Sequence, residues 1–162
     1  MPRKSTSPYR FGDLLALARQ SWITQMADGL TARGYGDYRR SDAAAVRMLQ
    51  RGPMSIGRFG TALGITRQAA RKVADGLERR GFVTLARDEI DTRQVNVILT
   101  PDGEAYANAV RSVIEKLNRA VTGKVRPADL AVADAVLRAV LADDHTRRLA
   151  EFLEPPAPSR RL

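Results

Sequence analysis

Apolar residues recur every three or four positions along most of the chain, the spacing of helices that bury one face. The first such stretch covers residues 11–33, and the GYGD turn at residues 34–37 ends it. A second helix is predicted to run to about Arg51, with Ser41 or Asp42 as its N-cap. Both helices are amphipathic, so each should bury one side.

Two further helices are predicted in the C-terminal third. One starts at Thr100-Pro101, a cap followed by a proline, and runs to about Thr122; the other runs from Pro127 to about Leu153. Their apolar stripes are Tyr106, Val110, Val113, Ile114, Leu117 and Val121 on the first, and Leu130, Ala133, Val136, Leu137, Val140 and Leu141 on the second.

In the middle of the chain the pattern changes from short helices to β-rich runs. A short helix capped by Ser55, with Gly57 and Gly60 weakening it, ends at Gly64, and a second helix begins after the Thr66 cap and closes at Gly81. Two β-rich runs follow, at residues 82–85 and 95–99, joined by a charged link at residues 86–94. This order predicts a mostly α fold with a small β-hairpin (α+β): a winged helix-turn-helix embedded in a helical dimerisation scaffold.

The outward face of the helix after Thr66 is basic near its start. Arg67, Gln68, Arg71 and Lys72 are residue types that hydrogen-bond base edges or phosphates in the major groove. Basic residues on an amphipathic helix are often only a solvated face. The cap, the glycine turn, the partner helix and the hairpin, in this order, favour a DNA-reading helix.

The predicted wing carries Arg87 and Arg93, with Asp88, Glu89 and Asp91 between them. An arginine on a β-loop suits the minor groove, where the negative potential of DNA is strong. Asp91, two residues before Arg93, is predicted to pair with it and fix its direction. The alternative is an ordinary exposed ion pair worth about 0–1 kcal/mol.

Composition and charge agree with a nucleic-acid partner. The 162 residues include 27 Lys and Arg against 18 Asp and Glu, a formal charge of +9, and 44% are hydrophobic, enough for a folded core. There is no cysteine, and His145 is the one histidine, which disfavours thiol chemistry and metal sites. No phosphate-binding loop or carboxylate pair points to catalysis. We therefore expect no enzyme, cofactor or metal.

The first residues lack the apolar run of a signal peptide, and no stretch approaches the roughly 20 apolar residues of a membrane span. We expect a cytoplasmic chain without a membrane partner.

These motifs resemble the MarR family of transcriptional regulators. The resemblance extends from the first helix to about Phe152 and is carried by LGITRQAARKVADGLERRGFV at 63–83, DTR at 91–93 and LTPDG at 99–103. It implies a winged-helix dimer that binds a palindromic operator, usually represses, and is often released by a small molecule. By similarity, Arg93 is the wing arginine, Asp91 its partner acid, and residues 66–72 the base readers.

The corresponding organisation is a flexible N-terminus (1–10), a dimerisation helix (11–36), a winged helix-turn-helix (37–100), C-terminal dimerisation helices (101–153) and a flexible tail (154–162). The long helices carry more apolar surface than the winged core can cover, which predicts a homodimer rather than a six-helix monomer. Trp22 is expected in the core first, and with Arg19 and Tyr38 it is a candidate for an effector pocket.

Two other functions remain open on the sequence. The charge permits a non-specific architectural DNA-binding protein, and a winged helix can also serve as a protein-interaction module without DNA. The mixed charge of the predicted reading helix disfavours the first, and the basic residues at 67, 71, 72 and 93 disfavour the second.

Overall fold

Six helices and three short strands form the part of the chain, residues 10–141, that the computed structural model describes. In chain order they are α1 (Arg10–Thr31), α2 (Arg40–Leu49), β1 (Met54–Ser55), α3 (Ile56–Leu63), α4 (Arg67–Arg79), β2 (Val83–Arg87), β3 (Val95–Leu99), α5 (Pro101–Thr122) and α6 (Pro127–Val140). The predicted fold class, mostly α with a small wing, is confirmed. The described residues fall into two compact units that divide after Tyr38.

Three of the predicted N-caps are confirmed by hydrogen bonds. Ser55 Oγ accepts the N–H of Arg58, Thr66 Oγ1 that of Ala69 and Thr100 Oγ1 that of Gly103, at 3.4, 3.2 and 3.0 Å. The predicted cap of α2 is wrong. Its N-cap is Arg39, which makes no side-chain cap bond, and Ser41 and Asp42 lie within the first turn.

The sheet has one strand more than the predicted hairpin. Its order is β1-β3-β2, all antiparallel, and β2 pairs with β3 from Val83 opposite Leu99 to Arg87 opposite Val95. The added strand, Met54–Ser55, pairs with Val97 and Asn96 of β3. Two residues are too few to show an alternating pattern, so periodicity does not predict this strand.

The core of the second unit lies between α2, α3, α4, α5 and the sheet. Its fully buried large side chains are Val46, Phe59, Leu77, Val83, Val97, Tyr106, Val110 and Val113. Phe82 and Tyr106 stack with ring centroids 4.5 Å apart. The Arg80 guanidinium lies 4.9 Å from the Phe82 centroid and forms an ion pair with the buried Asp42 of α2.

Helix α6 buries none of its residues within this chain. Val136, Leu137 and Val140 of its predicted stripe are 43, 47 and 50% exposed, and Val121 near the end of α5 is 46% exposed. The helix ends at Val140, with Leu141 extended. The predicted continuation to about Leu153, His145 and the two predicted flexible ends lie outside the described residues, apart from Arg10, which begins α1.

Helix α1 buries Met26 and Leu30 and exposes Phe11, Leu14 and Leu17. Trp22 is half-buried, so its expected place in the core is wrong for this chain taken singly. Over residues 10–141, no helix combines the length and the apolar character that crossing a membrane requires.

Candidate nucleic-acid interface

Helices α3 and α4 form the predicted helix-turn-helix, and their spacing depends on Gly60. A Cβ at residue 60 would lie 3.1 Å from the Ile65 carbonyl oxygen and 3.2 Å from Ala70 Cβ. The glycine that was expected to weaken α3 therefore leaves room for the close approach of α4.

The N-terminal half of α4 presents the four predicted reading residues to solvent. Arg67, Gln68, Arg71 and Lys72 are all exposed, while Ala70, Ala74 and Leu77 on the opposite face are buried. Among the described residues, the side chains of Arg67, Gln68 and Lys72 make no hydrogen bond or ion pair. They are therefore available to a ligand.

Arg71 differs from its three neighbours because Asp75 holds it. The Arg71 Nε to Asp75 Oδ1 distance is 2.9 Å, and both side chains remain substantially exposed, at 49 and 39%. An exposed pair four residues apart adds only about 0.3–0.5 kcal/mol. Its main effect is to hold the Arg71 guanidinium beside Asp75, one turn further along α4.

Glu78, in the last turn of α4, joins this helix to the wing. Its Oε1 accepts the N–H of Leu85 on β2 at 3.0 Å. Strand β2 is an edge strand of the sheet, and this carboxylate satisfies one of its outward N–H groups. The bond joins the wing to α4.

Asp88 organises the wing tip. Its Oδ1 accepts the backbone N–H groups of Ile90 and Asp91, both at 2.9 Å, and its Oδ2 accepts the Asn96 amide at 2.9 Å. The bonds from Asp91, Asn96 and Ile90, in that order of size, lower the pKa of Asp88 below its ordinary value of 3.8 because they favour the ionised carboxylate. The carboxylate thus ties the loop to its own strands.

The predicted ion pair between Asp91 and Arg93 is replaced by a backbone contact. Asp91 Oδ1 accepts the Arg93 backbone N–H at 3.1 Å, and its Oδ2 accepts the Gln94 side-chain amide at 3.0 Å. No ion pair of the Arg93 guanidinium occurs among residues 10–141. Within a short turn the nearest donor to Asp91 is the main chain, so this acid shapes the loop while the Arg93 side chain stays exposed.

The base of the wing is locked to the end of α4. Thr100 Oγ1 donates to the Gly81 carbonyl oxygen at 2.6 Å, and the Thr100 N–H donates to the Phe82 carbonyl oxygen at 3.0 Å. A Cβ at Gly103 would lie 1.9 Å from that same oxygen of Phe82. The LTPDG segment is therefore a close junction of the wing, α4 and α5.

The structure brings the predicted DNA-binding residues together in one unit. Thr66, Arg67, Gln68, Arg71 and Lys72 lie at the start of α4, Arg87 ends β2, and Asp91 and Arg93 lie in the wing loop. The candidate pocket residues Arg19, Trp22 and Tyr38 belong to the other unit, where Arg19 is exposed and the two aromatic residues are half-buried.

Three residues of the interface were missed as contributors: Asp75, Glu78 and Asp88. Asp88 carried a signal, since an Asp that opens a loop commonly accepts backbone N–H groups two and three residues on. Asp75 also carried one, its i+4 spacing from Arg71. The role of Glu78 had no such signal, because its partner is a backbone N–H on β2.

Residues 37–94, from just before α2 to the end of the wing loop, match the model of the MarR family, which confirms the resemblance over these residues. No curated protein matches the chain. Among residues 10–141, no group of three or more His, Cys, Asp or Glu side chains is placed to hold a metal ion.

Solved structures share the fold at low sequence identity. A probable transcriptional regulator from Pseudomonas aeruginosa is 23% identical with a TM-score of 0.65, covering 82% of this chain and 97% of its own. A mutant MarR from E. coli complexed with operator DNA is 17% identical with a TM-score of 0.67, covering 85 and 100%. BpsR of Bordetella bronchiseptica, whose DNA binding is regulated by 6-hydroxynicotinic acid, is 22% identical with a TM-score of 0.65, covering 86 and 100%.

Proposed function

We propose that this chain, whose residues 37–94 carry the MarR-family winged helix-turn-helix, is a dimeric transcriptional regulator that binds a palindromic operator. It acts as a repressor in the cytoplasm and is released by a small-molecule effector. The observation that carries the proposal is the set of exposed basic residues at the start of α4. A hydrogen bond from Leu85 of β2 to Glu78 joins this same helix to the wing.

Each part of this interface has a role on duplex DNA. The first turns of α4 enter the major groove, where Arg71 contacts guanine or Gln68 adenine, and Thr66, Arg67 and Lys72 contact phosphates or base edges. Asp75 supports Arg71 from one turn further along α4, and Glu78 lies in the last turn, directed to the wing. Arg87 and Arg93 follow the wing into the adjacent minor groove, while Asp91 shapes the loop that carries Arg93.

The dimer is supported by the apolar side chains that this chain leaves exposed on α1, α5 and α6. A two-fold axis would present two α4 helices to successive major grooves, about 34–36 Å apart. The proposal of an effector is supported by a structurally similar protein, BpsR, whose DNA binding is regulated by a small molecule. In this chain, Arg19, Trp22 and Tyr38 are the proposed contacts.

Selection of bound sequences from random duplex DNA tests the proposal. We expect a palindrome whose half-sites lie one helical turn apart, with an affinity that falls steeply as salt increases. An architectural protein would enrich no sequence, and bulk genomic DNA would compete equally well. A protein-interaction module would retain no DNA at all.

Substitutions of Arg71 and Arg93 separate base reading from phosphate binding. Arg71→Ala should lower discrimination at one base position of each half-site by about 1–3 kcal/mol. Arg93→Ala should weaken binding to all sequences and reduce the salt slope by about 1. Fluorescence anisotropy on the selected operator and on single-base variants measures both, and Arg119→Ala on α5 is the control for lost positive charge. If both variants bind like the native protein, the docking arrangement is wrong.

A further inference from the structure

We propose that Ile90 at the tip of the wing is an apolar wedge that enters the minor groove and shapes operator preference there. The inference rests on the proposed function and extends it to a residue outside the predicted DNA-binding set. Ile90 is 98% exposed, the highest value among the exposed large hydrophobic residues of the described chain. A fully solvated isoleucine gains most when a partner removes it from water.

The tip is ordered in a way that leaves this side chain projecting. The Ile90 N–H donates to Asp88 Oδ1, which also accepts from the next residue, Asp91. The Asp88 N–H donates to the Gln94 carbonyl oxygen at 3.0 Å, closing the loop across its base. Ile90 is therefore held on a constrained backbone, which lowers the entropy lost on binding.

The acids beside Ile90 do not oppose its approach to DNA as strongly as their number suggests. Asp88 and Asp91 direct both carboxylate oxygens to donors within the loop and its flanking strands. Of the three wing acids, only Glu89 lacks such a bond within the described residues. Arg87 and Arg93 flank the tip along the chain, and both side chains are exposed, so two cations accompany Ile90 on the wing.

A minor groove is the partner that fits this combination. Wedge side chains such as isoleucine insert between base steps there, beside arginines that follow the groove. The groove of A·T pairs lacks the guanine amino group, and pyrimidine–purine steps unstack most easily. We therefore expect the operator to favour A·T pairs, with a flexible TA step, under each wing tip.

The test compares the native protein with Ile90→Ala, Ile90→Val and Thr92→Ala on the selected operator. Ile90→Ala should bind about 5- to 50-fold more weakly with an unchanged salt slope, because it removes apolar contact and no charge. Ile90→Val should restore most of the affinity, and Thr92→Ala, an exposed neighbour, should bind like the native protein. A 2-aminopurine at the step under the wing should brighten on binding the native protein and less with Ile90→Ala.

The outcomes separate this inference from the proposed function. If the native protein selects an operator but Ile90→Ala matches it in affinity and in 2-aminopurine signal, the wedge is wrong and the regulator stands. A photo-crosslinker at position 90 that captures protein instead of operator DNA also overturns the wedge. If the native protein binds no DNA, both proposals fall.

Discussion

Gly103 shows how one missing side chain sets the base of the wing. The Phe82 carbonyl oxygen, which accepts the Thr100 N–H, occupies the place of a Cβ at residue 103. Neither this backbone oxygen nor the first turn of α5 can move without breaking the junction. The small residue in LTPDG is therefore required by packing.

Gly103→Ala should destabilise the fold by more than about 2 kcal/mol, because the added Cβ meets a backbone atom at 1.9 Å. Gly57→Ala is the matched control, since nothing lies within 4 Å of its Cβ position. That variant should be neutral or up to about 1 kcal/mol more stable, as alanine favours helix. Urea unfolding followed by circular dichroism measures both. Equal stability of the two variants would contradict the close junction.

Two ion pairs of α4 and its C-terminal end illustrate how burial decides the role of a charged residue. Arg71 and Asp75 pair in solvent, where the Arg71 guanidinium remains free to exchange partners. Arg80 and Asp42 pair with side chains 18 and 8% exposed, against the stacked Phe82 and Tyr106 rings. The first pair lies on the proposed DNA-binding surface, and the second holds the end of α4 to α2.

At the scale of the element, the wing is a five-residue β-ladder closed by an ordered loop. Its stiffness depends on Asp88, whose bonds reach both the loop and Asn96 of β3. A loop of this length without such bonds would sample many conformations, and binding would have to order it. The wing is thus prepared for its partner before contact.

Acid should loosen the wing tip before it unfolds the protein. The folded pKa of Asp88 lies below its ordinary value of 3.8, so its stabilising contribution is present above about pH 4 and is lost as the pH falls through the folded pKa. Amide signals of Ile90 and Asp91 should shift in NMR spectra over this range. Asp88→Asn should show the loosened signals at neutral pH, while Glu89→Gln should not. An unchanged tip in Asp88→Asn would refute this role.

At the scale of the whole molecule, the chain separates into a well-packed winged unit and helices whose apolar residues are exposed. The core residues of the second unit lie on α2 to α5 and the sheet, while α6 contributes none. This exposed apolar stripe supports the proposed dimer, since large apolar patches often form interfaces.

Leu137→Glu should convert the proposed dimer to a monomer, since a carboxylate would be buried among the apolar residues of α6. Ala135→Glu, on the opposite side of the same helix, should leave the dimer intact. Light scattering after gel filtration measures the mass of each. Operator affinity should fall with Leu137→Glu because a monomer binds one half-site. A native protein that elutes as a monomer would refute the prediction.

The amino-acid sequence by itself determined the order of the elements and the composition of the candidate interface. Helix ends depend on a few neighbouring residues, here Thr66, Gly81 and Thr100-Pro101, and the apolar period identifies the buried face of each helix. Both features can therefore be predicted from short stretches of sequence. The exposed positions of Arg67, Gln68 and Lys72 follow from the same period.

Only the tertiary structure decided how these elements hold one another. Asp42, one of two expected caps of α2, instead pairs with Arg80, 38 residues away. Glu78 accepts a hydrogen bond from Leu85 of the wing. Strand β1 exists because β3 offers it partners, and Gly60 faces a close approach of Ile65 and Ala70 that a Cβ would crowd. Each of these outcomes depends on contacts between different elements, and the apolar period within one element carries no information about such contacts.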